Sequence, residues 1–148
     1  MDIQGTVRDI LQDKGDQVWS TREDATVYEA IGLMGEHNIG ALVVLDDKDQ
    51  VIGVLSERDY SRKVVLKGRT SRDTKVGEIV SRKVSPVKTS DLVTHCMEIM
   101  SEQRIRHLPI MMDDQLIGML SMGDIVRWVI ASQKSTIEHL QGYIFGVR

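Results

Sequence analysis

Gly53-Val54-Leu55-Ser56-Glu57-Arg58-Asp59 returns as Gly118-Met119-Leu120-Ser121-Met122-Gly123-Asp124. Gly53 to Gly118, Ser56 to Ser121 and Asp59 to Asp124 are each 65 residues apart. In both copies an apolar run of strand length leads into a Ser. An Asp follows three residues later, and an apolar-periodic helix pattern begins. A hydroxyl and a carboxylate at a strand-to-helix junction suit a sugar phosphate. Backbone N–H groups at the helix start attract phosphate, and a carboxylate accepts hydrogen bonds from ribose hydroxyls. Ser-x-x-Asp is also the pattern of a capping box, in which Ser and acid satisfy orphan N–H groups at the helix start. Duplication alone does not separate the two readings, since a copied cap is also copied.

Reading outward, each junction sits at the end of a longer repeat. Thr6 to Leu11 places Val7, Ile10 and Leu11 at helical spacing, with Thr6 as cap. Val18 to Ser20 predicts a short strand. Asp24 caps a helix whose Val27, Ala30, Ile31 and Met34 fall at i, i+3, i+4 and i+7. Ala41 to Leu45 and Val51 to Leu55 read as buried strands joined by the polar turn Asp46 to Asp49. Glu57 to Leu66 closes the unit as a helix. Val76, Ile79 and Val80 then repeat the first helix, and Pro86-Val87 the short strand. Ser90 stands where Asp24 stood. Val93, Cys96, Met97 and Met100 repeat the second helix, each 66 residues after its counterpart. Leu108 to Met111 and Leu116 to Leu120 repeat the strands, and Ile125, Trp128 and Val129 the closing helix. A tail from Thr136 to Phe145 predicts one more short amphipathic helix through Ile137, Leu140 and Ile144. The fold class is α/β (α+β). Two β-α-β-β-α repeats, 6–67 and 75–132, are expected to pack sheet on sheet about a pseudo-twofold, with a helical tail at 133–148. A ligand cleft is expected between the repeats.

Composition narrows the function classes. The chain has 148 residues, enough for a real core, with 41% hydrophobic and 28% charged residues, ordinary for a globular domain. No apolar run approaches the ~20 residues of a membrane span. Met1 to Gly5 does not resemble a signal peptide. A single cysteine, Cys96, rules out an intramolecular disulfide framework. A cytoplasmic protein is the expectation. Net charge is −3, so bulk attraction to nucleic acid is not expected. The segment from Arg58 to Lys88 nevertheless carries 10 Lys or Arg against 3 acids. It reads as a solvated face, a phosphate site or a nucleic-acid contact.

These residues resemble a tandem pair of cystathionine-beta-synthase-type (CBS) domains, the Bateman module. The resemblance rests on Asp24-Ala25-Thr26-Val27, Ile39 to Val44 and Val51 to Asp59 in the first repeat. Arg104 to Ile110 and Leu116 to Asp124 carry it in the second. It covers about residues 6 to 132. The family implies binding of AMP, ADP, ATP, NAD or S-adenosylmethionine in the inter-repeat clefts, with no metal required. It also implies regulation of a partner protein and homodimerisation. By resemblance Asp59 and Asp124 hold ribose, and Ser56 and Ser121 lie near phosphate. Gly40 and Ala41 line one pocket, and Arg106 and His107 the other. Arg58 lies inside the motif and is counted with them. Arg106 and His107 would favour ligands rich in phosphate charge, with His107 protonating near neutrality.

Other candidates carry less chemistry. Cys96 falls on a core stripe, and His95 beside it faces elsewhere. His37 and His139 lack ligand-like spacing. Met34, Met97, Met100 and Met119 fit core stripes. No nucleophile–base pair, metal set or phosphate loop points to an enzyme. The expected function is a regulatory sensor of adenine nucleotides with no catalysis of its own. The alternative is an interaction scaffold or nucleic-acid binder using residues 58–88. Surplus apolar residues on the closing helices, Val64 to Leu66 and Trp128 to Ile130, point to a homodimer.

Overall fold

Thr26 shows how local sequence sets the frame. Its hydroxyl accepts the N–H of Glu29 at 3.1 Å and starts helix α2 (Val27–His37). The cap expected at Asp24 is thus two residues later, because Thr26 adopts the extended backbone that precedes a helix. The computed structural model describes residues 3–15, 17–82 and 84–145. Before α2 come α1 (Val7–Lys14) and strand β1 (Ser20–Arg22), the latter two residues beyond its expected position. Strands β2 (Ala41–Leu45) and β3 (Val51–Ser56) follow, then α3 (Glu57–Tyr60), which continues as a π-helical turn over Ser61–Val65. The second half holds α4 (Val76–Ile79), α5 (Val93–Gln103), β4 (His107–Met112), β5 (Gln115–Ser121) and α6 (Met122–Phe145).

Strands β1, β2 and β3 form one sheet, with β1 parallel to β2 and β2 antiparallel to β3. Strands β4 and β5 form an antiparallel pair. Pro86-Val87 does not form a strand. Val87 makes a single parallel bridge to Ile110, and Pro86 has no N–H to extend it. Both hairpins shift register at the same step, Val44/Leu45 and Ile110/Met111. Asp113 and Asp114 take positive φ in the turn of the second, where Asp is tolerated.

Two separate cores result, and the repeats exchange their leading helices. Val27, Ala30, Met34, Leu42, Val44 and Leu55 pack with Val76, Ile79 and Val80 from α4. Val93, Cys96, Met100, Leu108, Leu120 and Ile125 pack with Val7 and Ile10 from α1. Matching backbone bonds fix the exchange. Val7 N–H donates to Asp91 O and Val93 N–H to Gly5 O. Val27 N–H donates to Thr74 O and Val76 N–H to Ala25 O.

The tail differs from its sequence reading. It is not a separate helix, because α6 runs unbroken from Met122 to Phe145. No Gly or Pro falls between Gly123 and Gly142 to interrupt it. The side chain of Ile144 and residues 146–148 lie outside the described residues. Burial on the closing helices divides as the surplus apolar count implies. Val64 is buried, Trp128 and Val129 pack on the second core, and Val65, Leu66 and Ile130 are exposed.

Candidate functional site

At the end of β3 the capping box forms. Ser56 Oγ accepts the N–H of Asp59 at 3.2 Å, and Asp59 Oδ2 accepts the Ser56 N–H at 2.9 Å. The Ser56 hydroxyl also reaches Asp59 Oδ2 at 3.0 Å. The cap uses one carboxylate oxygen. The other, Oδ1, faces Lys63 at 3.1 Å, a side chain 43% exposed that also donates to the Ile79 carbonyl at 3.0 Å. The structural role therefore leaves half of the Asp59 carboxylate available.

This junction opens on a cleft of about 740 Å³, within the usual range for small-molecule sites. Both repeats line it. Gly40, Ser56, Arg58, Asp59 and Arg62 come from the first, and Arg104, Arg106 and His107 from the second. The sequence placed Gly40 in one pocket and Arg106-His107 in another, whereas the fold brings them to the same cleft. Arg62 and Arg104 were missed. Arg62 follows α3 on the π turn, a register change that hydrophobic periodicity does not reveal. Arg104 is the C-cap of α5 at φ 55°, ψ 42°, the place held by Asn38 in α2. A left-handed Arg costs about 1–2 kcal/mol that Gly would not. Arg58 Nη1 donates to the Arg104 carbonyl at 3.4 Å, joining the two repeats.

Arg58, Arg62, Arg104 and Arg106 take part in no ion pair among the described residues. Four arginines thus line one cleft together with the acids Glu57 and Asp59. The rest of the basic tract is not a continuous stripe. Arg69 pairs with Glu78, Arg82 approaches Glu23, and Arg72 lies over the Tyr28 ring.

Three sequence candidates stand away from the cleft lining. Ala41 is buried in β2. Ser121 caps α6, accepting the Asp124 N–H at 3.0 Å. Asp124 is 7% exposed and held by Lys14 at 2.6 Å and Arg127 at 2.8 Å. Burial pushes the Asp124 carboxyl up, but the Lys14 and Ser121 hydrogen bonds and the Lys14 charge outweigh it and hold the pKa low. His107 is also corrected. Burial first, then Lys14 and Arg106, lower its pKa against the pull of Asp124, so it is neutral at neutral pH. Burial likewise pushes the Cys96 thiol up to about 11, which fits an inert core residue.

The CBS domain family model matches residues 6–65 and 76–131. The chain belongs to the CBS-domain family. A mitochondrial CBS domain-containing protein of Arabidopsis thaliana, CBSX3, is 39% identical over 95% of this chain and 72% of its own length. A CBS-domain protein from Burkholderia ambifaria, named provisionally for signal transduction, is 45% identical. Its structure superposes with a TM-score of 0.83 over 87% of this chain and 96% of that one. Hypoxic Response Protein I, 28% identical, superposes with a TM-score of 0.72 over 83% of this chain and 98% of that one. It was solved with two coordinated zinc ions. That finding overturns the expectation, taken from the resemblance, that no metal is required across such proteins. Zinc needs only a few His, Cys or carboxylate side chains, which a scaffold gains without changing fold. Among the described residues of this chain, no three His, Cys, Asp or Glu stand together in a group fit for a metal. No helix among them is long and apolar enough to cross a membrane.

Proposed function

We propose that this CBS pair is a regulatory sensor, without catalysis of its own, that binds a phosphate-bearing adenine nucleotide in the inter-repeat cleft. The observation that carries it is the set of four arginines that line the cleft beside the Ser56–Asp59 junction and make no ion pair among the described residues. Guanidinium groups bind phosphate by charge-assisted, often bidentate hydrogen bonds. The Oδ1 side of the Asp59 carboxylate, outside the cap, suits ribose hydroxyls, which would displace the half-exposed Lys63 ammonium. Four cations against two acids favour ATP or ADP over AMP, and AMP over adenosine. Because the cleft joins both repeats, its occupancy sets their relative position, which a partner protein reads. A cytoplasmic setting is part of the same reading.

Calorimetry with adenosine, AMP and ATP tests this. ATP binds most tightly, and Arg106→Ala or Arg62→Ala each weakens ATP by about tenfold or more, the loss of a charged hydrogen bond. Adenosine affinity stays within about twofold. Equal losses for adenosine and ATP would show that these side chains do not read phosphate.

The exposed apolar residues support homodimerisation. Val65, Leu66, Val126 and Ile130 are each about half exposed or more. Such a set on closing helices exceeds what a monomer leaves bare. Relatives of this fold assemble too, as in the hexameric CBS-CP12 protein of bloom-forming cyanobacteria. Light scattering at tens of micromolar, an order of magnitude suited to such complexes, should give twice the chain mass. A monomer there would count against it.

A further inference from the structure

The acid of the second junction already has an occupant, and the chain supplies it. Lys14 is the last residue of α1. Its ammonium lies 2.6 Å from Asp124 Oδ2 and also donates to the Met119 carbonyl. Ser121 N–H takes the same carboxylate oxygen at 2.8 Å, and Arg127 takes Oδ1 at 2.8 Å. Both oxygens are therefore engaged by cations as well as by the cap. Asp59 in the first junction meets only one cation among the described residues, Lys63 four residues on, at 3.1 Å; Lys63 also donates to the Ile79 carbonyl, but no second cation takes the other carboxylate oxygen. A ribose hydroxyl approaching Asp124 would have to displace a charged donor held in a part-buried place. The displaced ammonium would then lie beside Arg127 without its carboxylate.

The exchange of leading helices is what brings Lys14 there. Helix α1 packs on the second core through Val7 and Ile10. Gly15, at φ 89°, ends the helix immediately after Lys14. The place that corresponds to Lys14 in the second copy is Lys83, since Val7 to Val76 and Lys14 to Lys83 are both 69 residues. Lys83 lies outside the described residues. Helix α4 stops at Ile79 with Val80 extended, whereas α1 runs on to Lys14.

We propose that Lys14 is an internal ligand of the second junction: it closes that junction to ribose, so the chain takes one nucleotide instead of two. Lys14 is thus a specificity-determining residue that sets the number of sites. This rests on the nucleotide reading of the cleft.

Two measurements test it, and the first needs no nucleotide. Limiting acetic anhydride is added to the whole chain, and labelling at each lysine is read by mass spectrometry. Lys14 should react about tenfold more slowly than exposed Lys67, the protection expected of a charged hydrogen bond. Asp124→Asn should narrow that gap. Labelling of Lys14 at the rate of Lys67 in the wild type would overturn the proposal. The second is calorimetry with ATP. The wild type should bind one ATP per chain and Lys14→Met two, while Lys83→Met stays at one. Two sites in the wild type, or one site in a cooperatively melting Lys14→Met, would overturn it. Should Lys14→Met fail to fold, Asp59→Ala and Asp124→Asn decide. Asp59→Ala should abolish binding, and Asp124→Asn should leave affinity within about twofold; equal losses would overturn the proposal. A wild type that takes no ATP would sink the nucleotide reading instead, while the acylation result still judges the Lys14 contact.

Discussion

Asp59 and Asp124 occupy the same step of the same strand-to-helix junction, yet their surroundings differ. Each accepts the N–H of the Ser three residues before it, and each Ser returns the bond. Beyond the cap the copies diverge. Asp59 borders an arginine-lined cleft, and Asp124 is clamped between Lys14 and Arg127. Three residues after each acid stands an Arg, Arg62 or Arg127. In α6 Arg127 pairs with its own acid, whereas Arg62, on the π turn, lines the cleft and makes no ion pair among the described residues. Duplication preserved the cap, and small changes beside it redirected the charges. A repeated motif therefore predicts a repeated fold more securely than a repeated site.

The sharpest way to break the symmetry is at the paired glycines. A Cβ on Gly53 would lie 2.2 Å from the Ser81 carbonyl oxygen, which is backbone and cannot turn aside. A Cβ on Gly118 would meet only the ends of Leu11 and Ile110, at 3.2 and 3.3 Å. Denaturant unfolding should show Gly53→Ala losing about 3 kcal/mol and Gly118→Ala about 1 kcal/mol. Equal losses would mean that the Gly53 contact with Ser81 relaxes without cost.

The ion pairs come next. Lys14→Met should destabilise by about 2 kcal/mol, below the figure for a fully buried pair because Arg127 remains and Lys14 is 30% exposed. Lys63→Met should cost about 1 kcal/mol or less, because Lys63 is 43% exposed and one helical turn from its acid, even though Asp59 is only 14% exposed. A reversed order would mean that Lys63, not Lys14, anchors its acid.

The caps should be alike. Ser56→Ala and Ser121→Ala should each cost about 1 kcal/mol in thermal or chemical unfolding. A much larger loss at Ser121 would show that its cap and the Lys14 clamp act as one unit.

The smallest effect is on pH dependence. The pKa of His107 is lowered in the folded chain, so the unfolded chain takes up its proton first as pH falls. Its contribution is fully present above about 6.5, the unfolded value. It is lost as pH drops from there through the lowered folded value. The low pKa of Asp124 acts in the more acidic range, where stability falls as pH drops through its folded value. His107→Gln should remove the first decline and leave the second. An unchanged profile would mean that another group causes the first.

Much of this was legible in the residues. Helices α2 and α5 bury three of the four positions that their spacing picks out in each and partly bury the fourth, Ile31 and Met97, because a 3.6-residue period reports a buried face. The two junctions were found by their repeat, and the capping box was visible as an alternative at both. The contacts of Lys14 were not legible. They span 105 and 110 residues of chain, and no local pattern marks a Lys at a helix end as the partner of so distant an acid. Arg104 hid for a different reason. A left-handed Arg breaks the preference that would identify its position, while Asn38 at the corresponding place obeys it. A cleft between the repeats was expected, but Gly40 and Arg106-His107 were assigned to different pockets, and the fold brings them to one.

That exchange has a bearing on how the chain can be divided. Residues 67–74 connect what look in sequence like two domains, and a cut there would seem harmless. Each fragment would instead carry one helix meant for the other's core and lack one wall of its own. Neither should be stable in isolation, and the two should complement each other when mixed. Intact, the chain should melt in a single transition with no half-folded plateau. Productive folding then waits on closures between segments some 80 residues apart, as from Val7 to Asp91. Such distant closures place the rate-limiting step late and make it sensitive to the connecting loop more than to either half.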